Sequence, residues 1–345
     1  MAPLPTSAAS LLTDPEWLAH RFVESDDSFR FMRLPRADHA AMPFLTDDYL
    51  GQREIGGDVS TEQCLMLASD TPLHFLFHSA FCGSTMLARA LDLPGLAMGL
   101  SEPRALNDLV GLRRRGADPR TVARAADAAT RLLGRPFGAG EAVVIKPSNL
   151  INPLAALLMA LRPQAKAVFL HAPLETFLIS VARKGLHCRN WVRELLEGYL
   201  LDGAIAGLGF ETQEHFRQSD LQVAAVGWLA QHRLFADLAA KLGPQRLASL
   251  DADAMLADPA RTLRTVATHY GLTMREAQLA EVLAGPALSQ HSKSGAAYSS
   301  AARAADYARV RAAHGEEIGM VMVWAQAVAK AAGVSMDAPN PLLQA

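Results

Sequence analysis

The feature that most limits the fold of this chain is an alternation of short apolar segments with helical ones, which begins at residue 73. The apolar segments are a few residues long, and stretches with helical periodicity follow them. We predict strands over residues 73–77, 96–100, 143–145, 167–170 and 246–250. Strands separated by helices predict an α/β fold, in which a parallel sheet is flanked by helices on both faces.

The helical segments and the N-terminal region complete this prediction. We predict helices over residues 84–91, 104–112, 119–133, 154–161, 174–182, 221–242 and 258–270, and a last helix that ends near Ala332. Residues 1–72 are predicted to form an N-terminal extension of short helices and loops, and residues 73–335 the main domain. Within the extension, Thr13-Asp14-Pro15-Glu16 predicts the start of a helix, because proline is favoured at the first helical position.

Charge and cysteine content limit the partners of the protein. The 345 residues carry a formal net charge of −2 and no dominant basic block, which argues against nucleic acid. The three cysteines are odd in number and have no metal-type spacing, which is typical of a reducing compartment. The chain shows no signal-peptide pattern, and no apolar run approaches the ~20 residues that a membrane helix needs. We therefore expect a soluble, cytoplasmic protein without a metal site, which binds neither nucleic acid nor membranes.

One turn has the pattern of a phosphate site. The stretch HFLFHSAFCGSTMLARALD (residues 74–92) places a small-residue turn beyond the end of a strand, where ligands bind in open parallel sheets. Gly83 permits close approach of the backbone, Ser84 and Thr85 supply hydroxyl groups, and the first amides of the helix lack intrahelical partners. A tight turn that binds no ligand is the alternative. The lysine of a nucleoside-triphosphate loop, G-x-x-x-x-G-K-[ST], is missing.

Together with two later segments, this turn resembles the sulfotransferases that use 3′-phosphoadenosine 5′-phosphosulfate (PAPS) as donor. Phe81-Cys82-Gly83-Ser84-Thr85-Met86 is similar to the family's [KR]-S-G-[ST]-T loop and the apolar residue after it. Residues 143–180 resemble the bacterial segment that runs from a K-x-P turn to an R-D-P turn and into a helix, and residues 247–272 resemble a later strand and helix. The resemblance covers about residues 73–300 and implies a P-loop NTPase-like fold of the sulfotransferase type.

The resemblance implies roles for residues near the predicted 5′-phosphate loop, which spans residues 81–86. Glu102 follows the second strand, where several sulfotransferases carry the general base. Lys146 ends a strand at the same edge of the sheet and would contact the bridging or sulfuryl oxygens. An exposed glutamate at a helix start and a surface lysine are the alternatives. Asn149 is a further candidate for hydrogen bonding near the site.

A second group of candidates concerns the donor's 3′-phosphate. His171 stands where the family has the arginine of the R-D-P turn, and Ser180 resembles the family's serine on the next helix. Arg183 could replace the missing arginine, and Lys293 lies in a late loop that resembles the segment over the 3′-phosphate. Solvated charges at a helix end and an ordinary surface loop are the alternatives.

The sequence leaves three functions open. The first is sulfuryl transfer from PAPS to a hydroxyl or amine of a small or carrier-bound metabolite. The second is ATP-dependent phosphoryl transfer, against which the missing loop lysine counts. The third is a non-catalytic relative, because Phe81 and His171 replace two basic residues of the family. Cys82 starts a helix and could be a reactive thiol, with a buried packing residue as the alternative.

Overall fold

All the strands predicted from residue 73 onward are present, and together they form one parallel sheet. The computed structural model describes residues 7–68, 71–289 and 300–343. The strands in these residues are β1 (Trp17–Val23), β2 (Ser28–Arg33), β3 (Ile55–Ser60), β4 (Leu73–His78), β5 (Ala97–Ser101), β6 (Ala142–Lys146), β7 (Ala167–His171) and β8 (Leu247–Asp251). The parallel sheet has the order β5-β6-β4-β7-β8, which confirms the predicted α/β fold.

Each helix predicted from residue 84 onward is present, and most helix ends differ from the prediction by no more than two residues. They are α1 (Ala8–Thr13), α2 (Arg36–Ala41), α3 (Asp47–Leu50), α4 (Thr61–Leu65), α5 (Ser84–Leu91), α6 (Arg104–Arg114), α7 (Pro119–Leu133), α8 (Ala155–Leu161), α9 (Leu174–Arg183), α10 (Gly185–Leu201), α11 (Asp220–Leu242), α12 (Ala252–Ala257), α13 (Pro259–Tyr270), α14 (Glu276–Ala284), α15 (Pro286–Ser289) and α16 (Ser300–Ala332). Among the described residues, no helix combines the length and the apolar character that crossing a membrane would require.

Alternate side chains of the parallel strands enter two apolar clusters, one on each face of the sheet. In β4, Phe75 and Phe77 belong to one cluster and Leu76 to the other. The first cluster also contains residues of α6, α7 and α8, and the second contains residues of α5, α9, α11 and α16. Burial on both faces explains why these strands have continuous apolar sequences rather than alternating ones.

The N-terminal region contains a three-stranded antiparallel sheet, β1-β2-β3, which the prediction of short helices and loops missed. The predicted helix start at residues 13–16 is also wrong, since α1 ends at Thr13 and β1 follows. The two acids of this stretch bind β2: Arg33 donates to Asp14 at 2.7 Å and to Glu16 at 2.5 Å. These ion pairs hold the segment before β1 against the end of β2.

The small sheet packs against the same face of the parallel sheet as α6 and α7. Phe29 and Phe31 of β2 share an apolar cluster with Phe75 and Phe77 of β4. Half-buried Arg135 connects the two parts, because its guanidinium donates to the carbonyl oxygens of Leu11 (2.7 Å) and Trp17 (2.6 Å). The boundary placed at residue 72 coincides with the start of β4, and the division into an extension and a main domain stays a prediction.

Candidate functional site

The loop between β4 and α5 has a backbone shape that suits an anion. Ala80 and Phe81 have φ values of 73° and 53°, and Gly83 has a φ of 79°, so left-handed residues precede the helix. Such turns direct successive amide groups into one concavity, and the N-terminus of a helix favours negative charge. Ser84 and Thr85 lie in the first turn of α5 and are buried. The residues predicted to bind phosphate therefore lie on a turn whose backbone conformation is suited to an anion.

Two contacts hold this strained loop in place. The left-handed conformation costs a non-glycine residue roughly 1–2 kcal/mol, so Ala80 and Phe81 need external support. The amide of Ala80 donates to Nδ1 of His78 at 3.1 Å, and Oγ of Ser79 accepts from the amide of Ala172 at 3.3 Å. The loop is thus attached both to the strand before it and to the segment after β7.

A lysine from another helix lies on the ring that replaces the family's basic loop residue. Phe81 packs against Phe177 and Trp191, with ring centres 5.7 Å and 5.3 Å apart. The Nζ atom of Lys184, at the end of α9, lies 4.4 Å from the centre of the Phe81 ring. Positive charge therefore reaches the loop through a cation–π contact. No local sequence pattern links Lys184 to this loop, which precedes it by about a hundred residues.

The remaining loop candidates face the protein core. Cys82 and Met86 belong to the apolar cluster formed with α5, α9 and α11, so Cys82 offers its backbone rather than its side chain to a ligand. Burial raises the pKa of the Cys82 thiol to about 11. The thiolate, which is the reactive form, is therefore scarce at neutral pH. The alternative interpretation of Cys82 as a buried packing residue is confirmed, and the reactive thiol is not supported.

Glu102 and Lys146 form an ion pair at the ends of neighbouring strands. The Nζ atom of Lys146 donates to Oε1 of Glu102, and the amide of Glu102 donates to the carbonyl oxygen of Lys146 at 2.7 Å. The Lys146 side chain is 1% exposed and that of Glu102 is 20% exposed. Glu102 also has a left-handed backbone, with a φ of 53°. The structure therefore brings together the predicted base and the predicted cation, although it leaves their roles as predictions.

Two further residues surround this pair and were missed by the sequence analysis. His78, the last residue of β4, places Nε2 3.9 Å from Oε1 of Glu102. Since its Nδ1 accepts from the amide of Ala80, the neutral ring carries its proton on Nε2, which faces the carboxylate. Phe44 covers the other side, with its ring centre 4.8 Å from Nζ of Lys146. The position of His78 directly before the small-residue turn was the signal that could have revealed it.

Asn149 is buried close in sequence to Lys146. Its carbonyl oxygen accepts from the hydroxyl of Tyr199 at 2.8 Å, whereas its Nδ2 has no hydrogen-bond partner among the described residues. Buried amide donors are normally satisfied in folded proteins. Asn149 is therefore a candidate for binding a polar ligand, as predicted from the sequence.

Among the residues that the structure describes, the candidates for a 3′-phosphate site do not present free positive charge. His171 lies at the end of β7 opposite Asp251, and burial lowers its pKa below the ordinary value, so its ring is mostly uncharged at neutral pH. Its charge therefore does not replace that of an arginine. Lys293 lies outside the described residues.

Helix α16 already binds the two candidates on α9. Oγ of Ser180 shares a hydrogen bond of 3.1 Å with the hydroxyl of Tyr307. Nη1 of Arg183 lies 3.1 Å from Oδ2 of Asp306. Arg183 is exposed at the end of α9 and forms this ion pair on the surface, so its role in binding a phosphate stays a prediction. An anion that binds Ser180 and Arg183 would compete with both contacts.

Comparisons with known proteins yield a likeness to solved structures only. No protein-family model and no curated protein matches the chain. Similar solved structures include a sulfotransferase from Mycobacterium tuberculosis, with 17% identity and a TM-score of 0.39 over 72% of this chain and 78% of that chain. Another is a sulfotransferase from Alicyclobacillus acidocaldarius, with 18% identity and a TM-score of 0.37 over 71% of this chain and 96% of that chain. A third is the sulfotransferase domain of the olefin synthase from Synechococcus, with 13% identity and a TM-score of 0.38 over 64% of this chain and 80% of that chain. At these identities and scores the likeness concerns the path of the chain and carries nothing about activity.

Proposed function

We propose that this protein transfers a sulfuryl group from PAPS to a hydroxyl or amine of a small or carrier-bound metabolite. The observation that carries the proposal is the Glu102–Lys146 ion pair, in which the lysine is buried and the carboxylate is partly exposed. It lies beside β4, whose end leads into the left-handed loop at residues 80–83. A base and a cation at neighbouring strand ends, next to an anion-binding loop, are the parts that this transfer requires.

The chemistry assigns one task to each charged group of the pair. Glu102 takes the proton from the acceptor O–H or N–H, while the acceptor atom forms a bond to sulfur. The bond from sulfur to the bridging oxygen breaks, and both of its electrons leave with 3′-phosphoadenosine 5′-phosphate. Lys146 stabilises the negative charge that develops on that oxygen. Because Oε1 of Glu102 binds Lys146, Oε2 is the oxygen available to the acceptor.

The described residues fit the 5′-phosphate of the donor better than its 3′-phosphate. The loop amides, the hydroxyls of Ser84 and Thr85, and the charge of Lys184 suit the 5′-phosphate. At the other end, Tyr307 and Asp306 bind the residues predicted for the 3′-phosphate. A 3′-phosphate bound there would compete with Asp306 for Arg183 and with Tyr307 for Ser180.

The first experiment is calorimetric titration of the full chain with 3′-phosphoadenosine 5′-phosphate. We expect saturable binding, and its absence at about millimolar ligand would overturn the proposal. The second is Glu102→Gln, which should keep this binding and lower turnover with PAPS by about 10²–10⁴-fold. Exposed Glu62→Gln is the matched control and should leave both unchanged. Undiminished turnover in Glu102→Gln would remove Glu102 from the role of base.

A second candidate function is a non-catalytic binding protein with the same fold. The contacts of Ser180 with Tyr307 and of Arg183 with Asp306 favour it, because they occupy groups that a donor would need. This candidate predicts binding of an acceptor-like metabolite without turnover in a broad screen of hydroxyl and amine acceptors. Sulfuryl transfer to any acceptor would exclude it.

A further inference from the structure

The outward face of the C-terminal half of α16 has an unusual composition. Its inward face packs on the core through Ile318, Val321, Ala325 and Ala329, all of which are buried. The outward face consists of nine exposed residues: Gly315, Glu316, Gly319, Met320, Val323, Gln326, Ala327, Lys330 and Ala331. We call these nine residues the α16 outer face.

This surface lacks the charges that a solvent-facing helix normally has. Outward faces of amphipathic helices carry mainly charged and polar side chains. Here one acid and one base stand near the two ends. Gln326 is the other polar side chain, and the centre exposes Met320 (62%) and Val323 (69%). Neither Glu316 nor Lys330 forms an ion pair among the described residues.

The α16 outer face is complementary to itself. Glu316 and Lys330 lie at equal distances along the helix on either side of Val323. At 3.6 residues per turn they also project in nearly the same direction as Val323. Two such helices placed antiparallel, about a two-fold axis at Val323, therefore bring each Glu316 next to Lys330 of the other copy. Each Met320 then lies beside Ala327 of the other copy, and the glycines permit close approach of the backbones.

We propose that the α16 outer face binds the same face of a second copy of this chain, with the two helices antiparallel about Val323. Isologous contact of this kind is the commonest symmetry of soluble oligomers. One helix face is smaller than the ~800 Å² per partner of a standard interface, so we expect a reversible, concentration-dependent dimer. The two peripheral ion pairs fix the register, and the apolar centre supplies the contact area.

Sedimentation velocity of the full chain at concentrations up to about 100 µM tests the proposal. We expect a monomer–dimer equilibrium that Val323→Arg abolishes, because two arginines would face each other on the axis. A monomer throughout this range, or a dimer that Val323→Arg does not affect, would overturn the proposal.

A charge exchange tests the register. Glu316→Lys and Lys330→Glu should each weaken dimerisation about tenfold, since like charges then face each other, which corresponds to ~1.4 kcal/mol. The double variant Glu316→Lys/Lys330→Glu restores opposite charges and should recover the affinity to within about threefold. Failure of the double variant to recover would overturn the antiparallel arrangement. Since the side chains are exposed, circular dichroism should show the same folded state for all variants.

Discussion

The ammonium group of Lys184 lies over the ring of Phe81, 4.4 Å from its centre. The two residues belong to different elements, the end of α9 and the loop before α5. The contact therefore brings positive charge to a loop whose own sequence contains no basic residue.

Replacing Lys184 tests whether this charge serves ligand binding. We expect Lys184→Met to weaken binding of 3′-phosphoadenosine 5′-phosphate about fivefold, because a cation–π partner near an anion contributes about 1 kcal/mol. Titration calorimetry measures the effect. Exposed Lys241→Met removes an equal charge elsewhere and should change nothing. Equal losses in the two variants would mean that only the net charge matters.

His78 provides a test of how Glu102 is positioned. Asparagine at this position can still accept the amide of Ala80 but does not reach Glu102, whereas glutamine places an amide donor near the position of Nε2. We therefore expect His78→Asn to lower kcat at least about tenfold with little change in KM, and His78→Gln to retain kcat within about threefold. Steady-state kinetics with PAPS measure both variants. An equal loss of kcat in the two would indicate that the ring only fills space.

Removing the contacts of α16 with α9 should favour ligands that carry a 3′-phosphate. We expect Asp306→Ala combined with Tyr307→Phe to strengthen binding of 3′-phosphoadenosine 5′-phosphate roughly threefold to tenfold, since Arg183 and Ser180 lose their present partners. Adenosine 5′-phosphate should bind as before. Glu175→Gln, which removes the ion pair of Glu175 with Arg311 between the same two helices, is the matched control. An equal gain for both nucleotides would contradict the assignment.

The buried His74 predicts a loss of stability in acid. Its Nδ1 accepts from the amide of Lys166 at 3.3 Å, its ring stacks on Tyr270, and burial lowers its pKa to about 4. Because this pKa lies below the unfolded value of about 6.5, the unfolded chain takes up the proton first. The stabilisation is complete above pH ~6.5 and is lost as the pH falls towards ~4, by up to about 3 kcal/mol.

Guanidinium unfolding at several pH values tests this prediction. The free energy of unfolding should fall less steeply between pH 6.5 and 4.5 in His74→Asn than in the parent chain, although the variant is less stable at neutral pH. Other buried histidines, such as His39, contribute to both curves, so the difference isolates His74. Parallel curves would show that His74 does not titrate in this range.

The parallel sheet was predictable because each of its strands is apolar on both faces. Each strand therefore forms a continuous run of apolar residues that can be recognised in the sequence. The N-terminal sheet was not predictable. β3 (residues 55–60) contains Gly56, Gly57 and Asp58, which indicate a turn when they are considered alone. Gly57 and Asp58 pair with β2. Gly56 lies at an irregularity of this pairing, where a Cβ would lie 2.5 Å from a methyl carbon of Leu11. Tertiary contacts therefore override the local preference.

The candidate site likewise contains residues that the sequence predicts and residues that it does not. Glu102 and Lys146 were predictable because the ends of parallel strands meet at one edge of the sheet. Phe44, Lys184 and Tyr307 approach the predicted residues from elements far away in the chain. No spacing within a single segment encodes such contacts, so only the folded arrangement reveals them.

The position of β4 in the sheet has a consequence for synthesis of the chain. Its hydrogen-bonded neighbours are β6 and β7, and the Ser79 hydroxyl accepts from Ala172, a residue 93 positions later. At about 5–20 residues per second, a ribosome needs roughly 5 to 20 s to cover that interval. A nascent chain that already contains the whole loop cannot yet hold it in its strained shape. The turn is thus synthesised well before the residues that hold its conformation. A fragment that ends before β7 should not bind a phosphate ligand.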